Sequence, residues 1–344
     1  MTRTYRAHAG LLALLTVVLA GCAVTPSEVP SSAISTISPA PSAAVTAPGS
    51  TAVPNGSLAG SAPTATPRAT PQATPGPTPG AASLPDFSHV YLIVMENEER
   101  SSIIGNSAAP YINHLAGQYG LATSYTAIGH PSQPNYIALA SGSTDGVTDD
   151  GVHDLSVRSI FDQVDASGRT WQVAAQNDRP GCYTPATAGA GQDGPGTYAR
   201  KHNPAISFVS ISRNPARCAR ITDFHGFDPA AASFTWIVPN MCNSMHDCSI
   251  GTGDAWLSSF LPEILASSAY REGGLILLTW DEGSTNAGGG GRVATIVISP
   301  LARTGFTSAV AHDHYSLLRT IEDAWGLPCL AQACAANDLR EFFR

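Results

Sequence analysis

The run VYLIV at residues 90–94 is apolar at every position, with no alternation along the chain. A strand that faces water on one side alternates. One without alternation is covered on both faces, as in a parallel sheet with helices above and below. Four further runs read as strands, at 170–175, 234–238, 275–279 and 293–298. Helical stretches fall between and after them, at 109–119, 134–140, 159–164, 254–266 and 315–325. Strands alternating with helices predict an α/β sandwich with a mostly parallel sheet, and no internal repeat interrupts the pattern. In such sheets ligands gather beyond the carboxyl ends of the strands, so the residues just after each apolar run are where a site is to be sought.

What precedes residue 84 takes no part in that sheet. Arg3 and Arg6, an apolar run and Leu19-Ala20-Gly21-Cys22 have the layout of a secretory leader. The apolar run is short of the roughly 20 residues a membrane span needs. Its last four residues resemble a bacterial lipobox, so residues 1–22 are expected to be a lipoprotein signal peptide. Cys22 would then carry the lipid of an exported protein at the cell surface or in the periplasm. Residues 23–83 contain twelve of the chain's 26 prolines, and Glu28 and Arg68 are their only charges. Such a segment cannot bury enough apolar surface to fold and is expected to be a disordered tether. Residues 84–344 remain as one domain, long enough for a sizeable core.

Of the chain's 18 Lys and Arg and 26 Asp and Glu, only Arg3, Arg6, Arg68 and Glu28 precede residue 84, so the domain has ten more acidic than basic groups. That balance excludes nucleic acid as a partner, since no basic patch is available to neutralise phosphates. It suits a cation site built from carboxylates. Nothing resembles an interface helix, and a monomer is expected. Besides Cys22 there are six cysteines, an even number that suggests disulfides in an exported chain. Six allow fifteen connectivities. The close pairs Cys242/Cys248 and Cys329/Cys334 would clip short loops and leave Cys182 with Cys218. None has CxxC spacing, so all six read as structural.

Polar residues stand where the strands end. Glu96 and Asn97 follow VYLIVM, Asp281 and Glu282 follow LILLTW, and Asn240 followed by CNSMHDC, with His246 and Asp247, comes after FTWIVP. Acidic residues often end strands merely as loop starts or helix caps. Two pairs after two strongly apolar strands, with a third set holding histidine, point instead to one shared cation site. Clustered like charges are costly unless a cation sits among them.

The stretch GHPSQPNYIALASG, 129–142, is the other candidate. Pro134 favours the first turn of a helix, which places Ser132 just before a helix start. Backbone N–H groups point outward there and stabilise anions. A serine in that position can be simply a cap. The neighbouring His130 and Asn135 are not explained by capping. To attack phosphorus, a serine needs a base or a coordinated metal. Among the histidines, His202 in KHNP, His246 in MHDC, and His312 and His314 in HDHYS stand beside other polar groups, and a histidine near a transferring group can protonate the leaving oxygen. His8, His89, His114 and His225 read as ordinary, and His153 as ambiguous.

MEN after the first strand, then HPSQPNY, KHNP, PNMCNSMHD, WDEG and HYSLLRTIEDAWGL, in that order, resemble the bacterial and fungal phosphoesterase family. That family contains secreted acid phosphatases and bacterial phospholipases C and belongs to the alkaline phosphatase-like superfamily. The resemblance covers nearly the whole domain and implies a three-layer sandwich with helices flanking the sheet. It implies that Ser132 is the nucleophile that becomes phosphorylated. One divalent metal, Mg, Ca, Mn or Zn, would be held by Glu96, Asn97, Ser132, Asp281 and Glu282. His202, His246 and His314 would hold phosphate oxygens or protonate the leaving group, with Asn97, Asn135 and Asp247 around the substrate. Asp281-Glu282 stands where many superfamily members have Asp-His, which favours one metal over two. The expected activity is metal-dependent hydrolysis of a small phosphate monoester. Alternatives are a phosphodiesterase of the phospholipase C type and a surface lipoprotein that binds a phosphorylated ligand without turnover. A sulfatase is disfavoured because SQPNY lacks the arginine of the CxPxR-type motif.

Overall fold

Val90–Met95, buried at all six positions, runs through the middle of the sheet, as its unbroken apolarity requires. The computed structural model describes residues 83–179, 181–189 and 196–343; the expected leader, Cys22 and all but the last residue of the tether lie outside these described residues. Among the described residues the sheet has eight strands: β1 (Val90–Met95), β2 (Gly120–Ala122), β3 (Trp171–Ala175), β4 (Ile221–Thr222), β5 (Phe234–Val238), β6 (Leu275–Trp280), β7 (Thr295–Ile298) and β8 (Thr307–Ser308). Their spatial order is β8-β2-β7-β6-β1-β5-β3-β4. Only β7 runs antiparallel to its neighbours, so the sheet is mostly parallel as expected.

The helices that matter here are α1 (Pro110–Gln118), α2 (Ser132–Ser141), α3 (Ile160–Ala166), α4 (Ile250–Ala266) and α5 (His314–Ala324). They flank the sheet, α1 packing with α4 and α2 with α5. Helix α2 is buried at all ten positions, polar ones included. It ends on Gly142 at φ +76°, where a Cβ would lie 2.2 Å from the Leu330 carbonyl oxygen; only glycine fits that C-cap. Phe161, Trp171, Phe234 and Trp236 stack edge and face in the core between α3 and the sheet.

Two helix starts differ from those expected. Helix α2 begins at Ser132 rather than at Pro134, and Pro131 occupies the N-cap. Ser132 is therefore the first helical residue and does not cap the helix. Helix α4 begins at Ile250 rather than Asp254, because the Ser249 hydroxyl accepts the Thr252 N–H and starts the helix a turn earlier. The short strands β2, β4 and β8 have too few residues to show a period, and they went unanticipated.

The parallel register fixes where the strand ends arrive. Met95 pairs with Trp280, so Glu96 and Asp281, the next residue on each strand, emerge side by side. The Asp281 N–H bonds the Met95 carbonyl at 2.9 Å, and the Glu96 N–H bonds that of Ser244 at 2.9 Å. All six cysteines are paired: Cys182–Cys218, Cys242–Cys248 and Cys329–Cys334. The second pair closes the loop after β5 that carries His246 and Asp247.

The segment entering α2 lies against a glycine-rich loop. A Cβ on Gly290 would stand 2.6 Å from the Gly129 carbonyl oxygen and 2.7 Å from its nitrogen. Neither backbone atom can yield without moving the residues that lead to Ser132. Gly290→Ala is therefore expected to cost about 1–3 kcal/mol in urea unfolding. Gly117→Ala, on the exposed face of α1 with nothing within 4 Å, should instead stabilise by about 0.5–1 kcal/mol. Equal effects of the two substitutions would contradict this packing.

Candidate active site

Two fully buried carboxylates, Glu96 and Asp281, form the floor of the site. Burial, and then the Asp281 charge beside it, push the Glu96 carboxyl well above the usual carboxylate range. Asp281 is raised as well, by burial. Hydrogen bonds offset part of this cost. Tyr136 O–H donates to Glu96 Oε1, and Ser132 Oγ–H donates to Glu96 Oε2 at 3.3 Å. The Asn97 N–H donates to Asp281 Oδ1 at 3.0 Å, an approach that needs Asn97 at φ +59°. Asp281 Oδ2 is buried and has no partner. A buried carboxylate oxygen left open, beside a second carboxylate and a hydroxyl, is the donor set of a hard divalent cation.

Ser132 is held by the residues around it. Asn135 Oδ1 accepts from the N–H groups of Ile128 and Gly129 at 2.9 and 3.1 Å. Its Nδ2 donates to the carbonyls of Gly129 and Pro131 at 2.8 and 3.3 Å. In the first turn of α2, Gln133 N–H donates to Asp150 Oδ1 at 3.0 Å, and Lys201 Nζ holds Asp150 Oδ2 at 2.8 Å. Glu99 ties the loops opposite by accepting from the N–H groups of Ser284 and Arg292, both at 3.0 Å.

On the other side of Glu96 stand two histidines. His202 is buried, stacked on Tyr136 with ring centroids 5.2 Å apart, and its Nε2 lies 3.1 Å from Glu96 Oε1. The pair is close but not aligned as a hydrogen bond, so His202 Nε2 is left without a partner. Burial, followed by the charges of Lys201 and His246, holds the His202 pKa well below its ordinary value, and the ring is neutral. His246 is half-buried, and its Nδ1 bonds Asp247 at 2.8 Å, which leaves Nε2 to face the site. One ligand atom from each of Glu96, His202 and His246 lies within 4.8 Å of the others. Glu96 thus joins an oxygen set, with Ser132 and Asp281, to a nitrogen set.

A family model described as the Phosphoesterase family matches residues 103–328. The chain belongs to that family. This phosphoesterase is 32% identical over 270 residues to the phosphatidylinositol-3-phosphatase of Mycobacterium tuberculosis, covering 76% of the chain and 85% of that protein. It is 33% identical over 245 residues to the phosphate-repressible acid phosphatase of Penicillium chrysogenum, covering 67% of the chain but only 58% of the fungal protein. Among solved structures, the lipoteichoic acid synthase LtaP of Listeria monocytogenes superposes with a TM-score of 0.51 at 9% identity, over 73% of this chain and 77% of that one. That likeness concerns the fold alone, an α/β sandwich with a mostly parallel sheet. The three disulfides agree with an exported phosphoesterase.

Of the residues expected from sequence, Glu96, Ser132 and Asp281 meet in one place, and His202, His246 and Asp247 gather beside them. Three stand elsewhere than expected. The Glu282 carboxylate turns to His130 Nδ1 at 2.8 Å, and burial, then the Asp281 charge, raise it to about 7. Asn135 has its amide committed to the loop before Ser132. His314 has both ring nitrogens occupied, Nδ1 by the Tyr125 hydroxyl at 2.9 Å and Nε2 by the Asp281 carbonyl at 2.5 Å. Tyr136 and Lys201 went unanticipated as site residues, although both sit inside the HPSQPNY and KHNP motifs. Tyr136 lies one helical turn after Ser132 and so shares its face. Glu99 gave no sequence signal beyond its acidity.

Burial pushes His314 down to about 4 from an ordinary 6.5, against the pull of the Asp281 carbonyl. Between those values the unfolded chain binds the proton that the folded one refuses, so this stability is present above 6.5 and is lost as pH falls toward 4. His314→Gln should flatten that fall by on the order of 3 kcal/mol, read from urea unfolding at pH 4, 5 and 6.5. An unchanged slope would mean that His314 is charged in the fold.

Proposed function

We propose that this phosphoesterase hydrolyses phosphate monoesters at Ser132, through a phosphoserine, with a divalent cation held by Glu96, Asp281 and Ser132 at the end of the sheet. The observation that carries this reading is the Ser132 hydroxyl, 3.3 Å from Glu96 Oε2 at the first residue of a buried helix, beside an Asp281 oxygen with no partner. The cation, when bound, favours the serine alkoxide and draws charge from a phosphate oxygen. Everything else is done by the chain. Glu96 receives the Ser132 proton, and the N-terminus of α2 stabilises the anionic phosphate. Ser132 Oγ attacks phosphorus, and the ester oxygen leaves past the neutral His202 and takes a proton from protonated His246. His246 suits that task because Asp247 orients its ring and leaves Nε2 open. Water then releases phosphate from Ser132 by the reverse path. His314 acts from below, as a positioning residue that fixes the Asp281 backbone, and Asn135 likewise fixes the loop before Ser132.

The names of both relatives, a phosphatidylinositol-3-phosphatase and an acid phosphatase, denote release of phosphate from monoesters and support that choice over diesters. Exposure of Cys22 to lipidation would hold the enzyme at a membrane without a spanning helix. No helix among the described residues is long and apolar enough to cross one.

Ser132→Ala should lower kcat for p-nitrophenyl phosphate by about 10³-fold or more with the unfolding midpoint nearly unchanged. Activity within a few fold of the native enzyme would rule out this nucleophile. Chelation followed by dialysis should abolish turnover, and one of Mg²⁺, Ca²⁺, Mn²⁺ or Zn²⁺ should restore it; full activity after complete metal removal, checked by elemental analysis, would refute the cation site. Turnover of p-nitrophenylphosphocholine faster than of p-nitrophenyl phosphate would favour the phospholipase C type instead.

A further inference from the structure

Beside the site lies a cation that the reaction above leaves unused. Arg200 is 4% exposed, and its Nε and Nη1 have no hydrogen-bond partner. A guanidinium buried with open N–H groups is unfavourable unless an anion meets it, and its planar fork is shaped for carboxylate or phosphate. Arg200 lines a recess of about 160 Å³ whose other walls include Val152, Ala186 and Met241, with Asp150 and Lys201 alongside. Asp154, a carboxylate whose charge acts on Arg200, is paired at the surface with Arg213 at 3.1 Å, and Asp150 in the wall of the recess is paired with Lys201 at 2.8 Å.

The recess borders the reacting centre through bonds already described. Asp150, in its wall, accepts the N–H of Gln133, the residue after Ser132. Lys201, also in its wall, holds the same carboxylate, and the next residue, His202, faces Glu96. Of three consecutive residues, Arg200 lines the recess with its guanidinium buried, Lys201 lines it while paired with Asp150, and His202 stands at Glu96. An alcohol departing on the histidine side has this recess beside it.

We propose that the recess is a second anion subsite, in which Arg200, with the Lys201 charge alongside, binds a carboxylate or phosphate carried on the alcohol part of the substrate. The preferred substrates are then phosphate monoesters of small anionic alcohols. This rests on the reading of Ser132 as the site of ester cleavage.

Two esters that differ only at the far end test it. 3-Phosphoglycerate carries a carboxylate where glycerol 3-phosphate carries a hydroxymethyl group. The full-length enzyme should show kcat/KM at least about ten-fold higher for the first. Arg200→Met, similar in reach but uncharged, should bring the ratio near one, and Arg200→Lys should recover part of it. A native ratio near one, or a ratio unchanged in Arg200→Met, would overturn the subsite. Should Arg200→Met not fold, titration of Ser132→Ala with both esters decides the matter by calorimetry: tighter binding of 3-phosphoglycerate supports the subsite and equal binding overturns it. Tighter binding of 3-phosphoglycerate by Ser132→Ala, with no turnover of either ester by the native enzyme, would remove the reaction assignment and keep the subsite.

Discussion

The pairing of β1 with β6 sets two carboxylates side by side in a place without water. Met95 opposite Trp280 leaves no choice about where Glu96 and Asp281 emerge. Taken out of water together, both resist ionisation, and the Asp281 charge raises Glu96 further. The surrounding groups compensate: the Tyr136 and Ser132 hydroxyls at Glu96, and the Asn97 N–H at Asp281. The left-handed backbone at Asn97 is part of the same arrangement, since it aims that N–H. What is left over is the open oxygen of Asp281, and the fold around it is best understood as a device for keeping that oxygen open.

The serine is placed with comparable economy. Asn135 uses its acceptor and donor on the loop that precedes Ser132, while Gly290 lets a second loop lie directly on that backbone. Glu99 draws the Ser284 and Arg292 amides to one carboxylate, and a Cβ on Gly283 would lie 2.3 Å from it. The residues after β6 and those before α2 are therefore held on one framework. Small displacements of Ser132 relative to the carboxylates are resisted from both sides, which is the condition under which positioning would aid the proposed phosphoryl transfer.

Much of this was legible in the chain. Strands buried on both faces declared themselves by apolar runs without alternation, and two of them ended directly before Glu96 and Asp281. Both close cysteine pairs and the long one formed as proximity suggested. The unreadable parts have physical causes. Three strands of two or three residues have no period to detect. The start of α2 depended on Pro131 taking the N-cap, which a reading keyed to Pro134 placed two residues late. Side-chain direction was least accessible: Glu282 adjoins Asp281 in sequence, yet successive residues leaving a strand point apart, and it meets His130 instead. His314 stands in a motif as polar as that of His246, and only the packing of Tyr125 and of the Asp281 carbonyl around it distinguishes a closed ring from an open one.

Helix α2 has no solvent face, and that limits how a chain of this kind can diversify. Every residue from Ser132 to Ser141 is hemmed in, so almost any change there disturbs either the core or the placement of Ser132. New substrate preferences must therefore arise in segments that touch the site only at its rim. The segment after Gly142, with Val152 70% exposed, is such a place. Relatives that share the floor of the site are thus free to differ in what they accept, with the reaction inherited through the helix and its selectivity through the loops.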